Sequence, residues 1–242
     1  MRILTVDQLN KAFGGLKAIN SLDFYVDEGE IIGLIGPNGS GKTTTLNLIT
    51  GFIKPDTGKI IFRDKDIAGF PRYRVCQQGI ARTFQLIKPF LNFTVLQNVM
   101  VGRVYGQEHS KSIKLAKVEA REILDRVGLL AKEDVLAKDL RLMERKRLEL
   151  ARALATRPSL LLLDELMAGL NHAETEEAMQ LIKQIRDSNI TIIVIEHIVK
   201  AILGLSDRII VLNMGTKIAE ASPQEIVHDP KVIEVYLGKT HA

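Results

Sequence analysis

Short apolar segments that suit β-strands alternate with segments of helical periodicity along the chain. A helix is predicted over residues 174–186, where Met179, Ile182 and Ile185 fall on one face. Because strands alternate with helices, the pattern indicates an α/β fold with a parallel sheet. The predicted strands cover residues 2–9, 22–26, 30–35, 59–63, 160–163, 191–195 and 208–212.

The region between residues 86 and 156 has a different character. Apolar residues recur there at helical spacing, as at Val118, Leu124 and Val127. We therefore predict a helical insertion at about 86–156 within a single domain that spans residues 1–242. The sequence contains neither an internal repeat nor a linker long enough to separate independent domains.

The composition restricts the class of protein. With 46% hydrophobic and 26% charged residues, the 242-residue chain can form a substantial core, which excludes a largely disordered protein. No uninterrupted apolar stretch approaches the roughly 18 residues of a membrane-spanning helix, and Asp7 comes too early for a signal peptide. Because Cys76 is the single cysteine, an intramolecular disulfide and a multi-thiolate metal site are excluded. We expect a protein of the reducing cytosol.

The charge and the aromatic content bear on possible ligands. The 33 basic and 29 acidic residues give a net charge of +4, which would suit a phosphate ligand or an anionic membrane surface. Tryptophan is absent and aromatic residues make up 5% of the chain, so an aromatic platform for single-stranded nucleic acid is not expected.

A glycine-rich segment follows the predicted strand 30–35 and precedes the start of a helix. It matches the phosphate-loop pattern G-x-x-x-x-G-K-[ST] and consists of Gly36, Pro37, Asn38, Gly39, Ser40, Gly41, Lys42 and Thr43. Glycines let backbone N–H groups wrap a phosphate without clashes, and the following helix points its positive end at the same anion. Lys42 supplies a charge for the β- and γ-phosphates, and the Thr43 hydroxyl can ligate Mg²⁺. The segment therefore predicts a nucleoside triphosphate site.

Two acidic residues follow the predicted strand 160–163. Because the carboxyl ends of parallel strands border the ligand crevice, Asp164 can contribute to a Mg²⁺ shell there. Glu165, one residue further, can orient and deprotonate the attacking water. The pair predicts hydrolysis of the nucleotide rather than its storage.

Two further polar residues are candidates for sensing the γ-phosphate. His197 follows the predicted strand 191–195, and its imidazole can hydrogen-bond to the phosphate or to the water. Gln85 lies at the junction with the helical insertion, where its amide can ligate Mg²⁺ or hold water and report the nucleotide state to the inserted helices. Each residue taken alone would suit a surface position, and its place relative to the other elements favours the functional interpretation.

The order of these elements resembles that of ABC-type ATPase subunits over essentially the whole chain. The resemblance implies a P-loop NTPase core from residues 1–85 and 157–242, which includes an antiparallel β subdomain, and an inserted α-helical subdomain at about 86–156. It also assigns roles to residues: Phe13 stacks on adenine, residues 36–44 including Thr44 form the Walker A loop, Gln85 the Q-loop, Asp164 and Glu165 the Walker B pair, residues 168–171 the D-loop and His197 the switch histidine.

The same resemblance implies cofactors and partners. In this family two ATPase subunits form a head-to-tail dimer, in which each ATP lies between the Walker A loop of one chain and the signature helix of the other. Integral membrane permease subunits dock through short coupling helices beside the Q-loop. The chain is therefore expected to use ATP and Mg²⁺ on the inner, cytoplasmic face of the cell membrane as a peripheral protein. A substrate-binding protein is an indirect partner, and no nucleic acid is expected.

The signature segment departs from the family pattern Leu-Ser-Gly-Gly-Gln. Leu140 is followed here by Arg141, Leu142, Met143 and Glu144, so the serine hydroxyl and the close backbone approach of a glycine are both lost. Loss of one preorganised donor costs roughly 10²–10³ in rate. We expect a weakened site for the partner's ATP, to which Arg141 can add charge. A homodimer would carry this defect in both sites, whereas in a heterodimer this chain's own site could remain competent.

Several segments are most similar to ATPase subunits of branched-chain amino-acid importers, namely residues 79–85, 168–171 and 229–238. The tail and the length also resemble the ATPase of the lipopolysaccharide exporter, so export is an alternative. A soluble ABC ATPase acting on nucleic acid or ribosomes is a second alternative, although one phosphate loop in 242 residues leaves no room for paired cassettes or a long coiled-coil insertion. A small-molecule kinase is a third.

Overall fold

A computed structural model describes residues 1–84, 88–108 and 110–237 of the chain. In chain order the strands and helices are β1 (Arg2–Phe13), β2 (Leu16–Asp27), β3 (Ile31–Ile35), α1 (Lys42–Ile49), β4 (Thr57–Phe62), β5 (Lys65–Asp66), α2 (Arg72–Gln78), β6 (Ile80–Arg82), α3 (Val95–Tyr105), α4 (Ile113–Arg126), α5 (Leu142–Leu154), β7 (Leu160–Asp164), α6 (His172–Arg186), β8 (Thr191–Ile195), α7 (Val199–Leu205), β9 (Arg208–Asn213), β10 (Thr216–Ala221), α8 (Pro223–Ile226) and α9 (Pro230–Leu237).

The strands form two sheets. One has four strands in the order β2-β1-β4-β5, and all of its pairings are antiparallel. The other has six strands in the order β10-β9-β3-β8-β7-β6, in which β10 pairs antiparallel with β9 and the remaining pairs are parallel. The predicted α/β class, with a parallel sheet and an antiparallel β portion, is confirmed.

The parallel sheet is buried on both faces. Along β7, Leu160 and Leu162 belong to the core that the antiparallel sheet and α1 share with this sheet. Leu161 and Leu163 point the other way, into the core formed with the helices. A strand buried on both faces needs apolar residues at every position, which explains the uninterrupted apolar run of β7.

The first two strands are longer than the sequence pattern predicts. The expected strands 2–9 and 22–26 extend to Phe13 and begin at Leu16, so that they form one hairpin around a turn in which Gly14 adopts a φ of 56°. The residues next to the turn, 13–17, are exposed, and the strands pair with shifts of register between Val6 and Ala12. Backbone pairing rather than an alternating apolar pattern defines these residues as strand.

Helices α3, α4 and α5 occupy much of the segment between residues 88 and 155. The side chain of Ser112 caps α4 by accepting a 3.1 Å hydrogen bond from the N–H of Leu115. Ala116, Ala120 and Leu124 form the buried face of α4. The boundaries of the helical subdomain at about 86 and 156 remain a prediction. Within the described ranges, no helix is both long enough and apolar enough to span a membrane.

Candidate functional site

Three parallel strands end at the same edge of the sheet and bring the predicted motifs together. β3 leads into the phosphate loop, β7 ends at Asp164, and β8 ends at Ile195, directly before Glu196 and His197. β3 pairs with β8, and β8 pairs with β7 so that Asp164 lies opposite Ile195. The carboxyl ends of these strands therefore form one crevice, as expected for an open α/β sheet.

The phosphate loop has a backbone that requires glycine at two positions. Gly36 adopts a φ of 149°, and a Cβ added there would lie 2.1 Å from the carbonyl oxygen of Leu212. Gly41 adopts a φ of 108°, and a Cβ there would lie 2.9 Å from the carbonyl oxygen of Ala18. The N–H of Gly215, between β9 and β10, donates a 3.0 Å hydrogen bond to the carbonyl of Ser40. Neighbouring strands and turns thus fix the loop before α1 begins.

Lys42 is the first residue of α1 and is 7% exposed. Its Nζ donates to the carbonyl oxygens of Gly36 at 2.7 Å and Pro37 at 3.0 Å. Burial lowers the pKa of Lys42, and the negative charges of Glu165 and Asp164 act against that shift. The ammonium therefore bridges two backbone carbonyls of the loop and is attracted to the two acidic residues.

The other loop residues differ in exposure. Asn38 and Gly39 are exposed at the tip of the loop, and Thr43 is exposed beside them, whereas Thr44 is half-buried. Ser40 is 2% exposed, and within the described residues its Oγ has no hydrogen-bond partner. The direct contacts of these residues with nucleotide stay predictions.

A cavity of about 880 Å³ lies beside the loop and is lined by Thr43 and Asp164, among others. Asp164 is 4% exposed, and its Oδ2 accepts a 2.6 Å hydrogen bond from Arg82, which also donates to Oδ1 of Asn47 at 2.7 Å. A hydroxyl and a carboxylate are the hard oxygen donors that Mg²⁺ prefers. The two residues therefore fit the predicted metal site.

Cys76 lies in the wall of the same cavity. Burial raises the pKa of the Cys76 thiol, and a hydrogen bond with the Thr156 side chain offsets part of that shift. The thiol is therefore protonated at neutral pH and is a weak nucleophile.

Glu165 and His197 form a pair at the crevice. Oε1 of Glu165 lies 2.9 Å from Nε2 of His197. The Glu165 side chain is 16% exposed and that of His197 is 52% exposed, so both can meet a ligand from solvent. The backbone of Glu165 is left-handed, with a φ of 52°, and its N–H donates to the carbonyl of Ile195 at 2.9 Å. The arrangement can hold a carboxylate that accepts a proton from water.

A cluster of buried charges behind this pair was not predicted from the sequence. Glu196, Glu149 and Lys146 are 5%, 7% and 6% exposed. Burial raises the pKa of Glu196 to about 7 and that of Glu149 to about 6, and it lowers the pKa of Lys146. The only sequence signal was that ionisable residues at 146 and 149 interrupt or flank the apolar face of α5.

Phe13 and Gln85 are the two remaining candidate residues. Phe13 ends β1 and is 50% exposed, and Nζ of Lys11 lies 5.6 Å from its ring centroid. Its ring is therefore accessible to a ligand, and stacking on adenine stays a prediction. Gln85 lies outside the described residues.

The signature segment begins α5. Arg141 and Leu142 are exposed, and Met143 and Glu144 are half-buried. Oε2 of Glu144 accepts a 2.9 Å hydrogen bond from the backbone N–H of Arg141, and its Oε1 pairs with Lys132. A carboxylate thus occupies the N-terminal end of the helix that is expected to face the partner's phosphate. Because this carboxylate already accepts from the N–H of Arg141, that N–H is not available to an anion, which adds to the loss expected from the missing serine and glycine.

The C-terminal helix also reaches the phosphate loop. Tyr236 in α9 is 49% exposed; its partial burial raises the pKa of the Tyr236 hydroxyl, and the backbone N–H of Gly36 acts against that shift. The contact joins residues 200 positions apart, so no local sequence pattern could have indicated it.

Comparisons with known proteins agree with this geometry. Residues 19–168 match the family model described as ABC transporter, and residues 216–242 match the model described as branched-chain amino acid ATP-binding cassette transporter. The High-affinity branched-chain amino acid transport ATP-binding protein LivG of Escherichia coli K12 is 41% identical, with 98% of each chain covered. The protein BraF of Pseudomonas aeruginosa, of the same description, is 36% identical, again with 98% of each chain covered.

Solved structures show the same similarity in three dimensions. The crystal structure of a nucleotide-free ATP-binding cassette from an ABC transporter superposes with a TM-score of 0.90 at 33% identity, covering 99% of this chain and 100% of that one. The ADP conformation of an ATP-binding cassette of an ABC transporter superposes with a TM-score of 0.89, also at 33% identity, and with the same coverage.

Proposed function

The chain belongs to the ABC transporter ATPase family, and we propose that it powers the import of branched-chain amino acids by membrane permease subunits. Membership of the family confirms the resemblance seen in the sequence, and it makes the chain an ATPase. The solute is supported by the names of the relatives that match over 98% of the chain, and by the match of residues 216–242. These names favour import of amino acids over lipopolysaccharide export.

The observation that carries the enzymatic role is the pair formed by Glu165 and His197, 2.9 Å apart, where β7 and β8 end beside the phosphate loop. Glu165 would accept the proton of the attacking water, and His197 would hold that carboxylate or the γ-phosphate in place. Lys42 would bind the β- and γ-phosphates of ATP. Thr43 and Asp164, with Gln85, would hold Mg²⁺, which neutralises phosphate charge when bound.

The remaining assignments follow from family membership. Two ATPase subunits would close head-to-tail on ATP, each contributing its α5 N-terminus to the other's site, and reopen after hydrolysis. Permease subunits would dock at the cavity beside Asp164 and place the chain on the cytoplasmic face of the membrane. A substrate-binding protein would deliver the amino acid, and nucleic acid would play no part.

Trapping of the closed dimer tests the catalytic assignment. In Glu165→Gln the amide cannot accept a proton from water, so bound MgATP should persist and hold two subunits together. Size-exclusion chromatography with MgATP should show a dimer of this variant, and a monomer with MgADP. If the variant stays monomeric with MgATP even when the cognate partner ATPase is added, the proposed closure is wrong.

Uptake measurements test the transport assignment. Cells that lack the gene should lose uptake of radiolabelled leucine, isoleucine and valine, and the wild-type gene should restore it. Lys42→Ala, which removes the charge that binds the β- and γ-phosphates, should not restore it although the protein accumulates to the same level. Unchanged uptake in the deletion strain would contradict the choice of solute but leave the ATPase assignment intact.

A further inference from the structure

A lysine on the signature helix lies buried behind the residue that is expected to hydrolyse ATP. We propose that Lys146 is a positioning residue for Glu165 and that it links helix α5 mechanically to the loop that carries this carboxylate. The inference rests on the proposed roles of α5 and Glu165, and it adds a connection between the two ATP sites of a dimer.

The first observation is the way the backbone of Glu165 is held. Its N–H donates to the carbonyl of Ile195 at 2.9 Å, and its own carbonyl oxygen faces Nζ of Lys146 at 3.5 Å. A left-handed φ of 52° is costly for a residue with a Cβ and persists only where the surroundings enforce it. β8 restrains Glu165 from one side, and Lys146 is the polar group that α5 presents from the other.

The second observation is the set of charges around the ammonium. Lys146 faces Glu196, Glu149 and Glu165, and it is 6% exposed. Oε1 of Glu196 accepts a 2.7 Å hydrogen bond from the N–H of Met167, two residues after Glu165. The ammonium is therefore attracted to Glu196, a carboxylate that is itself bonded to the same loop, and to Glu165 on that loop. A buried charge attracted to neighbours in this way has little freedom to move independently of them.

The position of Lys146 along α5 explains how the two ATP sites of a dimer would be linked. The helix begins at Leu142, the end that is proposed to face the partner's ATP, and Lys146 lies about 6 Å further along the axis. A helix is stiff over that length, so a displacement of its N-terminus also moves the ammonium. Closure on the partner's nucleotide would then adjust the backbone of Glu165 in this chain's own site.

The test compares Lys146→Met with Lys146→Arg in the full-length chain. Methionine keeps most of the side-chain volume and removes the charge, and it should lower kcat for ATP hydrolysis about 10- to 100-fold, because small misplacements of a catalytic group are that costly. The affinity for MgATP, measured by titration with a fluorescent ATP analogue, should change less than about twofold, and arginine should restore most of kcat. Lys183→Met, at an exposed lysine of α6, is the matched control and should behave as wild type.

A double variant separates positioning from charge balance. Lys146→Met leaves Glu196 buried without its cation and Glu149 with Arg152 as its neighbouring cation, so a loss of stability is expected as well. Adding Glu196→Gln removes one of these charges and keeps the acceptor for the N–H of Met167. The double variant should regain thermal stability but not kcat. Recovery of kcat together with the melting temperature would show that Lys146 merely balances charge, and would overturn the proposal.

The failure of this inference can be told apart from failure of the proposed function. If the wild type hydrolyses ATP and Glu165→Gln does not, the proposed catalytic role holds. A Lys146→Met variant with wild-type kcat would then refute the link alone. If Glu165→Gln hydrolyses ATP as fast as the wild type, the catalytic assignment itself is wrong.

Discussion

The buried ion pair between Arg82 and Asp164 leads to a prediction whose size follows from the structure. The side chains are 5% and 4% exposed, and NH2 of Arg82 lies 2.6 Å from Oδ2 of Asp164. Replacing Arg82 with methionine would leave Asp164 buried without its cation. Because Asp164 is also the proposed Mg²⁺ ligand, the change tests stability and metal binding together.

The expected loss can be estimated term by term. Removing one partner of a buried ion pair typically costs about 3–5 kcal/mol. The lost hydrogen bond to Asn47 adds roughly 1 kcal/mol. The substitution also removes Nε of Arg82, a buried donor that has no partner among the described residues. Removing this unsatisfied donor is favourable by a similar amount and offsets the lost hydrogen bond. We therefore expect Arg82→Met to lower the free energy of unfolding by about 3–5 kcal/mol.

Urea denaturation followed by circular dichroism measures this loss, with Arg121→Met as the matched control. The pair between Arg121 and Glu133 lies at the surface, where water screens the charges, so its removal should cost far less than removal of the buried pair. Adding Asp164→Asn to Arg82→Met should recover much of the stability, because the unpaired charge is then gone. A double variant as unstable as Arg82→Met would refute the electrostatic explanation.

MgATP should stabilise Arg82→Met more than the wild type, because the metal supplies the missing cation.

Two further predictions concern Glu196 and Gly36. Because burial raises the pKa of Glu196 from 4.5 to about 7, the folded state holds the proton more tightly, so its contribution is full below pH 4.5 and lost as the pH rises through 7. Glu196→Gln should remove this contribution, so the unfolding free energy of the variant should change by up to about 3 kcal/mol less than that of the wild type across the window. Unfolding free energies from urea titrations that vary equally with pH in both proteins would contradict this. Gly36→Ala should abolish binding of a fluorescent ATP analogue, since its Cβ would lie 2.1 Å from the Leu212 carbonyl; wild-type affinity would show that the loop can relax.

The elements that the sequence predicts best are those with strong local patterns. The predicted strand 191–195 has the bounds that the structure shows, and β7 extends the predicted strand 160–163 by one residue, Asp164. The buried face of α4 was less evident, because two of its residues are alanines and the larger Val118 is 49% exposed. Alanine carries little hydrophobic signal, yet it lets helices approach closely. The pattern thus located the helix but not the whole of its packed face.

The candidate site shows the same division between local and long-range information. The phosphate loop and the Asp164–Glu165 pair can be recognised from consecutive residues. The ion pair of Asp164 with Arg82, the cluster around Lys146 and the contact of Tyr236 with Gly36 join residues far apart in the chain. Such contacts depend on how the strands are ordered in the sheet, and a single sequence does not contain that order.

The partly buried thiol of Cys76 makes this chain convenient for spectroscopic labelling. It is the single cysteine of the sequence, and its raised pKa keeps it protonated at neutral pH. A maleimide dye would therefore react first with a cysteine introduced at an exposed position such as Val199, which is 67% exposed. Distance changes between subunits during the ATP cycle can thus be followed by fluorescence without first replacing the natural cysteine.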